Sequence, residues 1–156
     1  DISHFYGEHT VSSRVVFLDG EPARHLYRSH RLAHVNDDYA SMRHAVERRL
    51  RAKEPLPELL VVDGGKGQLS AAMDALAAEG LGLGDVQVCA LAKQHEEVFV
   101  PGQMHSLAAP PDSPAVLLLR HLRDESHKHA ITKMRNRRRR NPDELTAFDA
   151  LEAGSA

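Results

Sequence analysis

The stretch Leu59-Leu60-Val61-Val62-Asp63-Gly64-Gly65-Lys66-Gly67 constrains the fold more than any other part of the chain. Four consecutive apolar residues are the pattern of a buried strand, and the glycine-rich run that ends them is a turn. An alanine-rich helix over 68–79 follows, closed by Gly80, and Val86-Gln87-Val88-Cys89-Ala90-Leu91 reads as a second interior strand. Strand, helix and strand in that order are a βαβ-like unit, which places helices on the faces of a sheet.

The flanking segments fit around that unit. Residues 10–18 are β-branched and aromatic enough for a strand, Asp19-Gly20 signals a hairpin turn, and a second strand runs from about Ala23 to Leu32. Asn36 can cap a helix that begins at Asp37-Asp38, with Tyr39, Met42, Val46 and Leu50 at helical spacing. Pro55 and Pro57 stop it. Further on, 97–101 and 105–109 predict a small hairpin turned at Gly102. Pro114 opens a long helix over about 115–135, with Val116, Leu119, Leu122, Ser126 and Ala130 along one apolar or small face. The expected fold class is α/β: a mixed sheet with antiparallel first strands, flanking helices and a small extra hairpin. The domain is expected over 1–135, and 136–156 as a basic then acidic linker or tail in which order ends.

Composition closes off several classes. A chain of 156 residues suits one domain and can bury a sizeable core. A single cysteine, Cys89, excludes a disulfide framework and a Cys-pair zinc site and fits a reducing compartment. No apolar run approaches 18 residues and no leader pattern opens the chain, so neither a membrane span nor a signal peptide is expected. The net charge of −2 hides an asymmetry: residues 115–141 carry 9 basic and 2 acidic side chains, while 142–156 carry 4 acidic and none basic. A basic segment on a mildly acidic body is either a phosphate-backbone contact or a solvated tail.

Three constellations can carry chemistry. Asp63 follows a buried strand and so stands at the C-terminal edge of the sheet, where open α/β folds bind ligands. The glycines after it let backbone approach a ligand, although the spacing is not that of a Walker loop. Asp63 as a cap of the turn, with Lys66 in solvent, is the competing structural reading. On the last helix, Arg120, Arg123 and His127 share a face through i,i+3 and i,i+4 spacings, suited to phosphate or simply to solvent. His127 and His129 face apart, so they do not form a zinc pair. No H-E-x-x-H pattern or nucleophile elbow is present, which argues against a zinc hydrolase and a serine triad. Asp37 and Asp38 read first as helix-start acids, and nothing intrinsic marks Asp1.

Six motifs in order give these residues a common context: Asp1-Ile2-Ser3-His4 with Gly7, Asp37-Asp38-Tyr39-Ala40-Ser41-Met42, Val62-Asp63-Gly64-Gly65-Lys66-Gly67-Gln68-Leu69, Leu91-Ala92-Lys93, Pro111-Asp112-Ser113-Pro114-Ala115 and Arg123-Asp124-Glu125-Ser126-His127. Over about residues 1–140 the chain resembles the C-terminal endonuclease domain of UvrC, the bacterial nucleotide excision repair nuclease. The resemblance implies a ribonuclease H-like fold and a metal-dependent 5′ incision beside a DNA lesion. It implies Asp1, Asp63 and His127 as catalytic and metal-binding residues and Asp38 as a further catalytic residue. Mg²⁺ or Mn²⁺ is the implied cofactor, because two carboxylates offer hard oxygen ligands and leave positions for water and a phosphate oxygen. His127 is either a ligand or a proton-transfer group.

In that context Lys66, Arg120 and Arg123 are expected to contact phosphates, and Arg137, Arg138, Arg139 and Arg140 to add salt-sensitive backbone affinity. The implied partners are damaged double-stranded DNA, UvrB through parts of a full UvrC outside this chain, and UvrA indirectly. The implied setting is the bacterial cytoplasm and its SOS response, with the isolated domain a monomer. A DNA-binding module without turnover is the alternative. The family has an apolar strand segment before the aspartate at Asp1, so the first strand is expected to be truncated. An α-amino group on Asp1 would then add positive charge beside the metal. Val35-Asn36 stands where the family usually has a glycine, which bears on the placement of Asp38.

Overall fold

The computed structural model describes residues 1–5, 9–32 and 37–140. Strands β1 (Ile2–Phe5), β2 (His9–Arg14) and β5 (Arg28–Leu32) form one antiparallel sheet in the order β1-β2-β5, and β3 (Phe17–Leu18) with β4 (Glu21–Pro22) forms a short hairpin at its tip. Helix α1 (Asp38–Arg51) leads to β6 (Leu59–Asp63), α2 (Lys66–Ala78) and β7 (Gln87–Leu91). Strand β8 (Val98–Phe99) completes a second sheet in the order β6-β7-β8, and α3 (Pro114–Arg140) ends the described chain. This is the mixed α/β architecture with antiparallel first strands that the element order predicts, consistent with a ribonuclease H-like domain.

The two-residue turn at Asp19-Gly20 forms as its sequence predicts, with φ of 52° and 79° at the two positions. The long strands expected on either side do not run unbroken. A three-residue 3₁₀ turn, Arg24–Leu26, interrupts the second arm. It takes up an offset between the β2–β5 ladder, where Arg14 faces Arg28, and the β3–β4 ladder, where Phe17 faces Pro22.

Helix α1 is capped by Asp37, whose carboxylate accepts from the backbone N–H groups of Tyr39 and Ala40 at 3.0 and 3.3 Å. The expected cap, Asn36, lies outside the described residues. The predicted hairpin around Gly102 is corrected. Strand β8 pairs with β7, placing Leu91 beside Val98, and the returning chain gives no second strand, only a bond from Leu107 N–H to Val98 C=O at 2.8 Å. Residues 105–109 (His-Ser-Leu-Ala-Ala) carry no β-branched or aromatic side chain to hold a second arm. Helix α3 also exceeds the expected 115–135, since it continues through the arginine run to Arg140. The acidic segment 142–156 lies outside the described residues.

Alternation along β7 divides the core in two. Val88 and Ala90 face a layer built by Met42 and Val46 of α1 and by Leu69, Ala71, Ala72, Ala75 and Leu76 of α2. Cys89 and Leu91 face the other way, onto Val98 and onto Val116 and Leu119 of α3. The alanines of α2 let α1 and α2 approach closely, and Tyr39 of α1 donates a hydrogen bond to the Asp74 carboxylate of α2. On the far side of the antiparallel sheet, Arg14 clasps Glu54 with two bonds of 2.9 and 3.2 Å. That pair ties the proline-flanked turn after α1 back to β2, and it holds the Glu54 carboxyl below its ordinary value of 4.5.

Two outcomes follow for the fold. Leu76 is fully buried, and Leu76→Ala should cost about 2–5 kcal/mol in urea unfolding, because it leaves a cavity at the α1–α2–β7 junction. A carboxyl depressed in the folded state contributes stability above pH 4.5 that is lost as pH falls through its folded value. Unfolding curves of wild type and Glu54→Gln should therefore differ at pH 7 and converge on acidification below pH 4.5.

Candidate active site

The parallel pairing of β6 and β7 puts Asp63 level with Leu91, at the C-terminal ends of both strands. The chain turns there at Gly64, whose N–H bonds to the Leu91 carbonyl at 2.9 Å and whose φ is +145°. A Cβ on Gly64 would lie 2.4 Å from Gln68 Cγ, so glycine is required by both backbone conformation and space. Asp1 enters from the other sheet. Its backbone exchanges two bonds with Ser13, N–H to C=O at 3.0 Å and the reverse at 2.8 Å, and the Ser3 hydroxyl donates to Asp1 Oδ2 at 3.1 Å. His127 arrives from α3, in the turn between the buried Ser126 and Ala130.

These three side chains converge. His127 Nε2 lies 2.7 Å from Asp63 Oδ2 and 3.7 Å from Asp1 Oδ1, and one ligand atom from each residue falls within 4.8 Å of the others. Both carboxylates are largely withdrawn from solvent, with side-chain exposures of 9% for Asp1 and 13% for Asp63, against 30% for His127. A cleft of about 350 Å³ opens beside Asp1, Ser3, Lys93 and His127.

The donor set fits a divalent cation. Asp63 Oδ1 is buried without a hydrogen-bond partner, and a buried carboxylate oxygen left so is costly unless something positive reaches it. Two carboxylates supply hard oxygen donors and the imidazole a nitrogen, a set able to hold a divalent ion between them.

The structure treats the other expected residues differently. Asp38 is the first residue of α1, is exposed, and is not among the residues whose ligand atoms converge. Arg123 is clamped by Glu96 through bonds of 3.0 and 3.1 Å, and Arg120 Nε lies 3.6 Å from the same carboxylate. Lys66 is exposed, with Nζ 5.9 Å from the centroid of the Phe99 ring. Arg137, Arg138, Arg139 and Arg140 occupy the last turn of α3. Sequence reasoning missed Glu96, because an acid in a loop gives no signal of an arginine 27 positions away. It named Lys93 only as part of a motif.

By class this is a ribonuclease H-like α/β domain, with two carboxylates and a histidine converging at its sheet edge. Comparison with known proteins gives the particular family: the profile of the UvrC RNAse H endonuclease domain matches residues 1–131, and the chain belongs to that family. Among similar proteins, UvrABC system protein C of Cyanothece sp. is 44% identical over 155 residues, covering 88% of this chain and 25% of that protein. UvrABC system protein C of Chlorobaculum tepidum is 44% identical over 164 residues, covering 100% of this chain and 26% of that protein. That of Carboxydothermus hydrogenoformans is 46% identical over 144 residues, covering 83% and 24%. The chain thus spans about a quarter of the length of the curated relatives it matches. No helix among the described residues is long and apolar enough to cross a membrane.

The turn that carries Asp63 is open to test. Gly64→Ala should destabilise the domain by about 1–3 kcal/mol in calorimetric unfolding. Gly65→Ala, where an added Cβ meets nothing within 4 Å, should cost about 1 kcal/mol or less.

Proposed function

We propose that this chain is the incision domain of a nucleotide excision repair nuclease, hydrolysing a phosphodiester bond on the 5′ side of a DNA lesion. The observation that supports the reading above all others is the meeting of Asp1, Asp63 and His127, from three different elements, in a member of the UvrC endonuclease family. In this reading Asp1 and Asp63 hold Mg²⁺ or Mn²⁺, and His127 serves either as a third ligand or as a proton-transfer group. When bound, such an ion polarises a phosphoryl oxygen and raises the acidity of a coordinated water.

The chain's own residues do the rest. Ser3 fixes one oxygen of Asp1 and leaves Oδ1 directed toward His127. The 2.7 Å contact with Asp63 fixes the His127 ring, which lines the cleft where a phosphodiester would lie. Hydrolysis needs one proton removed from the attacking water and one delivered to the leaving oxygen, and a partly exposed imidazole can serve either transfer. Lys66 and the arginine run at the end of α3 position the duplex by its phosphates without reading sequence. Asp38, at the start of α1, contributes from outside the converging set. Lesion recognition and contact with UvrB and UvrA belong to parts of the full protein beyond this domain, which acts as a monomer in the bacterial cytoplasm as part of the SOS response.

Calorimetric titration with Mn²⁺ tests the metal assignment, with binding expected in wild type and abolished in Asp63→Asn. In a nicking assay on damaged duplex, His127→Ala should reduce incision by about 10²–10⁴-fold. Unchanged cleavage in that variant would remove His127 from the mechanism. Duplex binding with no cleavage in wild type would favour the binding-only alternative.

A further inference from the structure

The cations expected to meet phosphate near the site are largely committed elsewhere. Glu96 holds Arg123, whose side chain is 13% exposed, in a two-bond clamp, and it draws in Arg120 as well. Lys66 lies beside Phe99 and does not line the cleft. The cleft next to Asp1 and His127 is lined by a single lysine or arginine among the described residues, Lys93. Lys93 is exposed and makes no ion pair with the described residues.

The backbone that carries Lys93 is built with care. It follows β7 by two residues, and β7 ends at Leu91, the register partner of Asp63. The turn is closed by the Ala92 N–H, which donates to the Glu97 carbonyl at 2.9 Å. Inside it, His95 and Glu96 both adopt left-handed conformations, with φ of 63° and 54°. Neither is glycine, so the turn is strained, and such strain persists only where surrounding contacts enforce it. Here the enforcing contact is the Glu96–Arg123 clamp, which fastens the turn to α3 one helical turn before His127. The same carboxylate thus pairs with Arg123 and fixes the loop that bears the lysine.

We infer that Lys93 is the phosphate-binding residue of this cleft, its ammonium meeting a non-bridging oxygen of the nucleic-acid backbone beside Asp1 and His127. The inference rests on the endonuclease reading and deepens it. A phosphodiester entering a site of two carboxylates meets repulsion, and a fixed ammonium on the same cleft offsets it while orienting the group for attack. Glu96 acts through the backbone and is a positioning residue.

Lysine footprinting separates this inference from the reading beneath it. The chain is treated with an amine-acetylating reagent with and without a short DNA duplex, and modification is quantified at each lysine by mass spectrometry. Duplex should slow acetylation of Lys93 severalfold while leaving Lys53, just past the end of α1, unchanged. In binding titrations, Lys93→Gln should flatten the slope of log affinity against log salt by about 0.9, the share of one phosphate, and Lys93→Arg should restore it. Protection of other lysines with Lys93 equally reactive, or an unchanged slope in Lys93→Gln, overturns the inference and leaves the endonuclease reading standing. Absence of any duplex binding by wild type overturns the inference, whereas absence of Mn²⁺ binding by wild type in calorimetry overturns the reading beneath it.

Discussion

Two sheets that share no backbone ladder among the described residues must be held at a fixed distance for Asp1 and Asp63 to meet. Hydrophobic packing on both faces does this. On one face, α1 packs against β1, β2 and α2, and α2 packs against β6 and β7, so a continuous apolar layer spans both sheets. On the other, α3 sets Val116 and Leu119 against β7 and β8 and lies along β2. Directional contacts then fix α3 on the antiparallel sheet. Tyr27 donates to Glu125 at 2.9 Å and meets the His129 ring edge to face at 5.3 Å, while Phe17 meets His121 in the same manner at 4.9 Å. Burial and the Glu125 bond push the Tyr27 phenol up to about 12, so it remains a donor across the neutral range. Since His127 sits between Glu125 and His129 in sequence, whatever holds those two also holds the histidine.

Local pattern made part of this legible. The β6–α2–β7 unit was readable because an apolar run and glycines are short-range signals, and Asp63 could be placed at the sheet edge from that unit alone. The buried face of α3 was readable from spacing, and Val116, Leu119, Ser126 and Ala130 are all buried. Asp1 and His127 carried no such mark, because their role arises from contacts across 64 and more positions. Only the resemblance to a family joined them to Asp63. The arginines of α3 show the opposite failure. Their shared face with His127 was read correctly from spacing, but periodicity along one helix carries no information about Glu96 on a distant loop.

The same limit explains the misplaced hairpin. Residues 97–101 and 105–109 look like two arms because Gly102 marks a turn between them. Which neighbour β8 takes is decided by the open edge of β7, a tertiary fact, and the His-Ser-Leu-Ala-Ala arm has no β-branched or aromatic side chain to hold a ladder of its own. Likewise the 3₁₀ turn at Arg24–Leu26 reflects a mismatch between two ladders rather than a local breaker.

Helix α3 has one further consequence that comes from its length alone. At about 1.5 Å per residue, its 27 residues extend for roughly 40 Å. The arginine run at 137–140 therefore stands about 15–20 Å along the axis from His127. Duplex DNA advances about 3.4 Å per base pair, so that span corresponds to some five steps of the double helix. A single rigid element therefore sets both where the histidine stands and how far from it the basic end of the helix lies.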